Sequence, residues 1–202
     1  MMHRVLPSRV TLAAAVMLLL PLAAQAHLVS TGLGPFYDGL SHFVLTPEDL
    51  LPALALALLA GLNGARAGRT ALFVLPTAWL AGGMAGLTWP TTGSIPALTA
   101  ASFLVLGAMV AADLRLRLAW NFGLAALLGV LNGYLNGSAM AQAKLGLAGL
   151  AGIVSALFVA VALAAAPVVA LRAPWARIVV RVAGSWVAAA GLLLLGWSVR
   201  AA

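Results

Sequence analysis

The chain has 202 residues, of which 64% are hydrophobic and 7% are charged. Soluble domains carry about a quarter charged residues, so this composition excludes a water-soluble globule and requires a bilayer as solvent. The net charge is +7 and there is no cysteine, which removes disulfides, zinc–thiolate centres and iron–sulfur clusters from consideration. A basic balance can signal nucleic acid, but here its distribution between loops explains it and no nucleic-acid partner is expected. The apolar runs are long and do not alternate with polar residues. They therefore read as helices and not as barrel strands. The expected fold is all-α, a polytopic membrane helical bundle.

Residues 1–26 read as a secretory signal peptide. Arg4 and Arg9 form a basic start, Val10 to Leu20 an apolar core, and Ala24-Gln25-Ala26 a cleavage pattern after Pro21. The alternative, an uncleaved first transmembrane helix, is disfavoured by the short core and the small residues where a peptidase needs them. Cleavage makes His27 the new N-terminus, offering its α-amino group and imidazole to one metal ion.

Residues 27–202 then form one transmembrane domain of about six helices. Stretches near or above bilayer-spanning length fall at about 48–65, 70–87, 95–112, 118–136, 145–171 and 178–199. Helix starts are marked at Thr46-Pro47-Glu48-Asp49 and at Ser94-Ile95-Pro96. The loops sort by charge. Arg66, Arg69, Arg115, Arg117, Arg172, Arg177 and Arg181 fall on one side, Lys144 and Arg200 on the other. The positive-inside rule puts the arginine side in the cytoplasm. The expectation is a bacterial inner-membrane protein with both mature termini in the periplasm, as a cleaved signal peptide also requires. Trp89, Trp120, Trp175 and Trp197 fall near span ends, where indoles favour the interface. Gly82/Gly86 and Gly133/Gly137 have GxxxG spacing, and Gly146, Gly149 and Gly152 recur every third residue. Small residues of this kind let helices approach closely in lipid.

The few ligating side chains are concentrated. Three of four acids and two of three histidines lie between residues 27 and 49. Asp38 and His42 are four apart and would share a helix face. With His27 folding back across the Gly32/Gly34/Pro35 turn, they form a candidate set for a divalent first-row metal. The alternative is that Asp38 caps a short helix and His42 is interfacial. For Glu48 and Asp49, stabilisation of a helix N-terminus is the favoured role, with auxiliary metal contact as the other. Asn132-Gly133-Tyr134-Leu135-Asn136-Gly137 places two amides one turn apart inside a span. They read either as a polar rung on a permeation path or as hydrogen-bonded glue between helices. Asp113 is expected to pair with Arg117, four residues on. No phosphate-binding glycine loop and no hydrolytic triad is present, so no enzyme activity is expected.

The stretch from Thr31 through Pro35 and Asp38 to His42, with Leu45-Thr46-Pro47-Glu48-Asp49, resembles the HupE/UreJ family of hydrogenase- and urease-associated membrane proteins. The resemblance extends to the His at the mature start, the number of spans and the segment from Asn132 to Gly137. Better-known members carry His at the positions of Asn132 and Asn136. The resemblance implies a permease for nickel or cobalt, carried as substrate with no tightly bound cofactor. His27, Asp38 and His42 would capture the ion, and Asn132, Tyr134 and Asn136 would line its path. It also admits a non-transporting accessory protein that serves hydrogenase or urease metallation. The expected partners are the lipid bilayer, the metal ion and a nickel-enzyme maturation system.

Overall fold

The computed structural model describes residues 30–92 and 96–200, with side chains described to residue 197. The expected signal peptide, residues 1–26, and His27 lie outside this range, as do Ser94 and Ile95. The described residues form helices α1 (Pro35–Leu45), α2 (Pro47–Leu62), α3 (Ala65–Thr88), α4 (Pro96–Ala111), α5 (Leu118–Gln142), α6 (Gly146–Val169) and α7 (Pro174–Arg200), with no strand among them.

α3, α5, α6 and α7 are each long and apolar enough to cross a membrane. α1 and α2 pass the same test together but are bent by 70°. Proline causes the bend. Pro47 bars its predecessor from helical geometry, and Thr46 sits at φ −103°, ψ 97°. α1 is the short helix that the spacing of Asp38 and His42 allows, and it lies before the expected start of the first span at 48. α4 is apolar but has 16 residues, about 24 Å at the helical rise per residue, against a hydrocarbon core of about 30 Å. By length alone the described helices therefore supply four crossings, or five with the bent pair counted as one. α5 also runs six residues past its expected end at 136, because Asn136 returns its amide to the helix's own Asn132 carbonyl and Gly137 is packed on another helix.

Glycine sets the helix pairings. A Cβ on Gly82 or Gly86 of α3 would strike the Val130 or Tyr134 carbonyl of α5, and one on Gly133 or Gly137 would strike the Trp79 or Gly83 carbonyl of α3. The two GxxxG motifs thus pack on each other, and the shared register shows that α3 and α5 run parallel. α1 lies across the start of α6, where Gly39 meets the Gly149 carbonyl and Gly152 the Phe36 carbonyl. α4 and α7 pair antiparallel through Gly107, Gly184 and Gly191. α2 occupies the middle. Ala53, Leu56, Ala57, Leu59 and Ala60 are fully buried there, and the helix touches every other one. Trp89, Trp120, Trp175 and Trp197 are all exposed, while Trp79 is fully buried.

At the arginine-bearing end, the α2–α3 corner is tied to the α4–α5 loop. Asn63 donates from Nδ2 to the Leu114 carbonyl at 3.0 Å and accepts from the Leu116 N–H at 2.7 Å. Arg115 donates to the Leu62 carbonyl. Asp113 pairs with Arg177 through both carboxylate oxygens, at 2.7 and 2.9 Å, and not with Arg117. The expected partner needed a continuous helix. Asp113 instead has φ 51° and ends α4, so residue 117 is not one turn above it.

Candidate functional site

The 70° bend turns the last turn of α1 toward the first turn of α2. His42 Nδ1 lies 3.4 Å from Thr46 Oγ1, and its Nε2 lies 3.9 Å from Asp49 Oδ2. That gap is too long for a hydrogen bond. Asp49 is 6% exposed, and burying a carboxylate is costly unless it is partnered. Its partner comes from α5, where Asn136 Nδ2 donates to Oδ1 at 2.9 Å. Of the two neighbouring acids, Glu48 is exposed and Asp49 is buried. Asp49 shares its helix face with Pro52, Ala53, Leu56 and Ala60, spaced as one buried stripe.

These groups line a cavity of about 290 Å³, with Glu48, Thr91, Thr92, Thr99, Asn132, Ser138 and Gln142 among its other walls. Asn132 donates from Nδ2 to the Leu128 carbonyl, as Asn136 does to that of Asn132. Both Asn136 amide hydrogens are thereby used. Its Oδ1 is buried with no hydrogen-bond partner, an unfilled acceptor worth about 1–3 kcal/mol.

The wall formed by residues 89–92, just past α3, is held by one stripe of α5. Tyr134 Oη donates to the Trp89 carbonyl at 2.8 Å. Ser138 Oγ accepts the Thr91 N–H at 3.2 Å, and Gln142 Nε2 donates to the Thr91 carbonyl at 2.7 Å. Tyr134 therefore grips the segment from outside the lining set.

Of the residues singled out from sequence, the structure gathers His42, Glu48, Asp49, Asn132 and Asn136 at one cavity. Asp38 faces elsewhere. Its Oδ1 accepts from the Thr31 N–H and the Thr31 hydroxyl, both at 2.6 Å, which fastens residues 31–34 to α1. Among the described residues no three His, Cys, Asp or Glu side chains converge on a metal position. The cavity's donor set is one imidazole, two carboxylates of unequal burial, and neutral amide and hydroxyl oxygens. Thr91, Thr92, Thr99 and Ser138 were not foreseen, because isolated hydroxyls carry no spacing signal.

A buried acid–imidazole–amide cluster between membrane helices accompanies a family match. The family model for HupE / UreJ protein matches residues 15–194. The chain belongs to the HupE/UreJ family. No curated protein and no solved structure matches it. Within this HupE/UreJ chain, the matched span takes in α1, the bend at Thr46 and every cavity residue.

Proposed function

We propose that this chain is an inner-membrane permease for a divalent transition metal, nickel or cobalt, taken up from the periplasmic side. The observation that carries the reading is the arrangement of Asp49, His42 and Asn136 around one cavity, with a buried Asn136 Oδ1 that lacks a partner. An imidazole nitrogen and a carboxylate oxygen 3.9 Å apart can both reach one ion, since first-row metal bonds to N and O are about 2.0–2.2 Å. With Nδ1 carrying the proton and turned to Thr46, His42 Nε2 presents its lone pair to that ion. Asn136 and Asn132 add neutral oxygens. A set with one imidazole and one buried carboxylate binds a metal weakly enough to release it, as conduction requires.

In this reading the arginine-bearing end is cytoplasmic, α4 completes six crossings, and the leader is removed. Glu48 stands at the mouth. Asp38 acts through Thr31, holding the segment that leads back toward His27, and His27 is an auxiliary ligand. Tyr134 keeps the cavity wall in place.

The test is nickel and cobalt flux into proteoliposomes, with zinc, manganese and magnesium as comparisons. Asp49→Asn and His42→Ala should abolish uptake while the chain remains folded. Saturable nickel binding without flux in the unmodified protein would overturn the permease reading and favour the accessory role in hydrogenase or urease metallation.

A further inference from the structure

Three asparagines on α5 adopt the same pose. Asn121, Asn132 and Asn136 each donate Nδ2 to the carbonyl four residues earlier, at 3.3, 3.0 and 3.0 Å. Each amide is thereby anchored to its own helix, and its Oδ1 is directed away from that bond. Asn121 and Asn132 are eleven residues apart. At about 100° per residue they differ by only about 20° around the helix, and Asn136 lies about 40° further on. The three share one buried face, on which Ala125 and Leu128 separate the first from the second.

Asn121 is 1% exposed, and its Oδ1, like that of Asn136, is buried with no hydrogen-bond partner. An orphaned acceptor of this kind is rare in a settled structure and calls for a water, an ion or a ligand. Two of them repeat on one helix face, one at each end. Asn136 does link α5 to α2 through its Nδ2 and Asp49, but no such link accounts for either Oδ1, since neither has a partner on a neighbouring helix.

We propose that Asn121 is a second cation station, about 16 Å along α5 from Asn132 by helical rise and beyond the apolar Ala125–Leu128 stretch. The inference rests on the permease reading and extends it. The ion leaves the Asp49 cavity, crosses the apolar stretch, and is received by the Asn121 carbonyl oxygen beside the arginine-bearing end. The ligand class is a partly hydrated divalent cation held by neutral oxygen. A neutral ligand suits the exit side, where release into a basic loop region must be easy.

The experiment uses the full chain in proteoliposomes, with nickel as the probe. Asn121→Leu should lower flux about tenfold, the effect of losing one ordinary polar contact. Nickel affinity at the Asp49 cavity should stay within about twofold and the melting temperature should not fall. Asn121→Asp, similar in shape but charged, should add a second nickel-binding event per chain, which a purely structural amide would not do. Flux through Asn121→Leu equal to that of the unmodified protein overturns the proposal and leaves the permease reading standing. Absence of a second event in Asn121→Asp also overturns it. An unmodified chain that binds nickel but moves none removes both readings.

Discussion

Replacing Gly137 by alanine tests whether the α3–α5 seam holds the cavity together. A Cβ at Gly137 would clash with the Gly83 carbonyl oxygen. A side chain could rotate out of the way, but a helix backbone cannot, so α3 and α5 must move apart. Overpacking typically costs 1–3 kcal/mol, and with backbone as the obstacle the expected cost is about 3 kcal/mol. Gly123, on the same helix, has nothing within 4 Å of its Cβ position. There the change should stabilise by about 0.5–1 kcal/mol through helix propensity alone. One substitution should thus have opposite signs at two positions of the same helix, with a gap of about 3.5–4 kcal/mol. Reversible unfolding in mixed micelles by SDS titration, followed by far-ultraviolet circular dichroism, reads both. Because Asn136 precedes Gly137, separation of the seam should also weaken nickel binding in Gly137→Ala and not in Gly123→Ala. If Gly137→Ala is no less stable than Gly123→Ala, the close backbone approach is not what holds the pair.

Other perturbations separate roles at the two ends of the bundle. Asp49→Asn keeps the side-chain volume but removes the charge, and isothermal titration should show nickel affinity falling about 100-fold or more; Asn136→Ala should cost about 1–3 kcal/mol of stability in micelles by leaving the buried carboxylate without its donor. The Asp113–Arg177 pair is part-exposed, so a double-mutant cycle should give a coupling of about 0.5–1 kcal/mol, whereas the cycle of Asp113 with Arg117 should give none. Ser138→Ala removes the acceptor for the Thr91 amide, and hydrogen exchange at Thr91 should quicken about fivefold, the equivalent of roughly 1 kcal/mol of local protection.

The long apolar runs announced the helices because a bilayer demands internally bonded backbone, and that demand leaves a composition signal. The boundaries were less legible where a polar residue satisfied itself locally. Asn136 was read as the end of a span, yet it bonds back to Asn132 and α5 continues to Gln142. α1 was legible only in the four-residue spacing of Asp38 and His42, because its sequence is short, mixed and interrupted by Gly39. It packs where Gly39 meets the Gly149 carbonyl of a helix more than a hundred residues away. The site was legible as a concentration of acids and histidines near one end. Which acid is buried was not, since Glu48 and Asp49 have the same local chemistry. Only the rotation of α2 into the bundle distinguishes them.

α5 shows how a nearly uncharged chain can maintain a polar cavity. Successive residues along it belong to different stripes about 100° apart. Asn132 and Asn136 face the cavity and Asp49, Gly133 and Gly137 face α3, and Tyr134, Ser138 and Gln142 hold residues 89–91. The glycine stripe brings α3 into backbone contact, and α3 leads directly into the segment that the third stripe grips. The asparagine stripe can then face a space no helix fills. In lipid, where apolar burial gives helices little reason to associate, close packing on one side of α5 supplies the stability that its unfilled side forgoes. The prediction for Gly137 and the orphaned oxygen of Asn136 therefore describe one design from its two sides. Loosening the seam should let the cavity collapse before any cavity residue is changed.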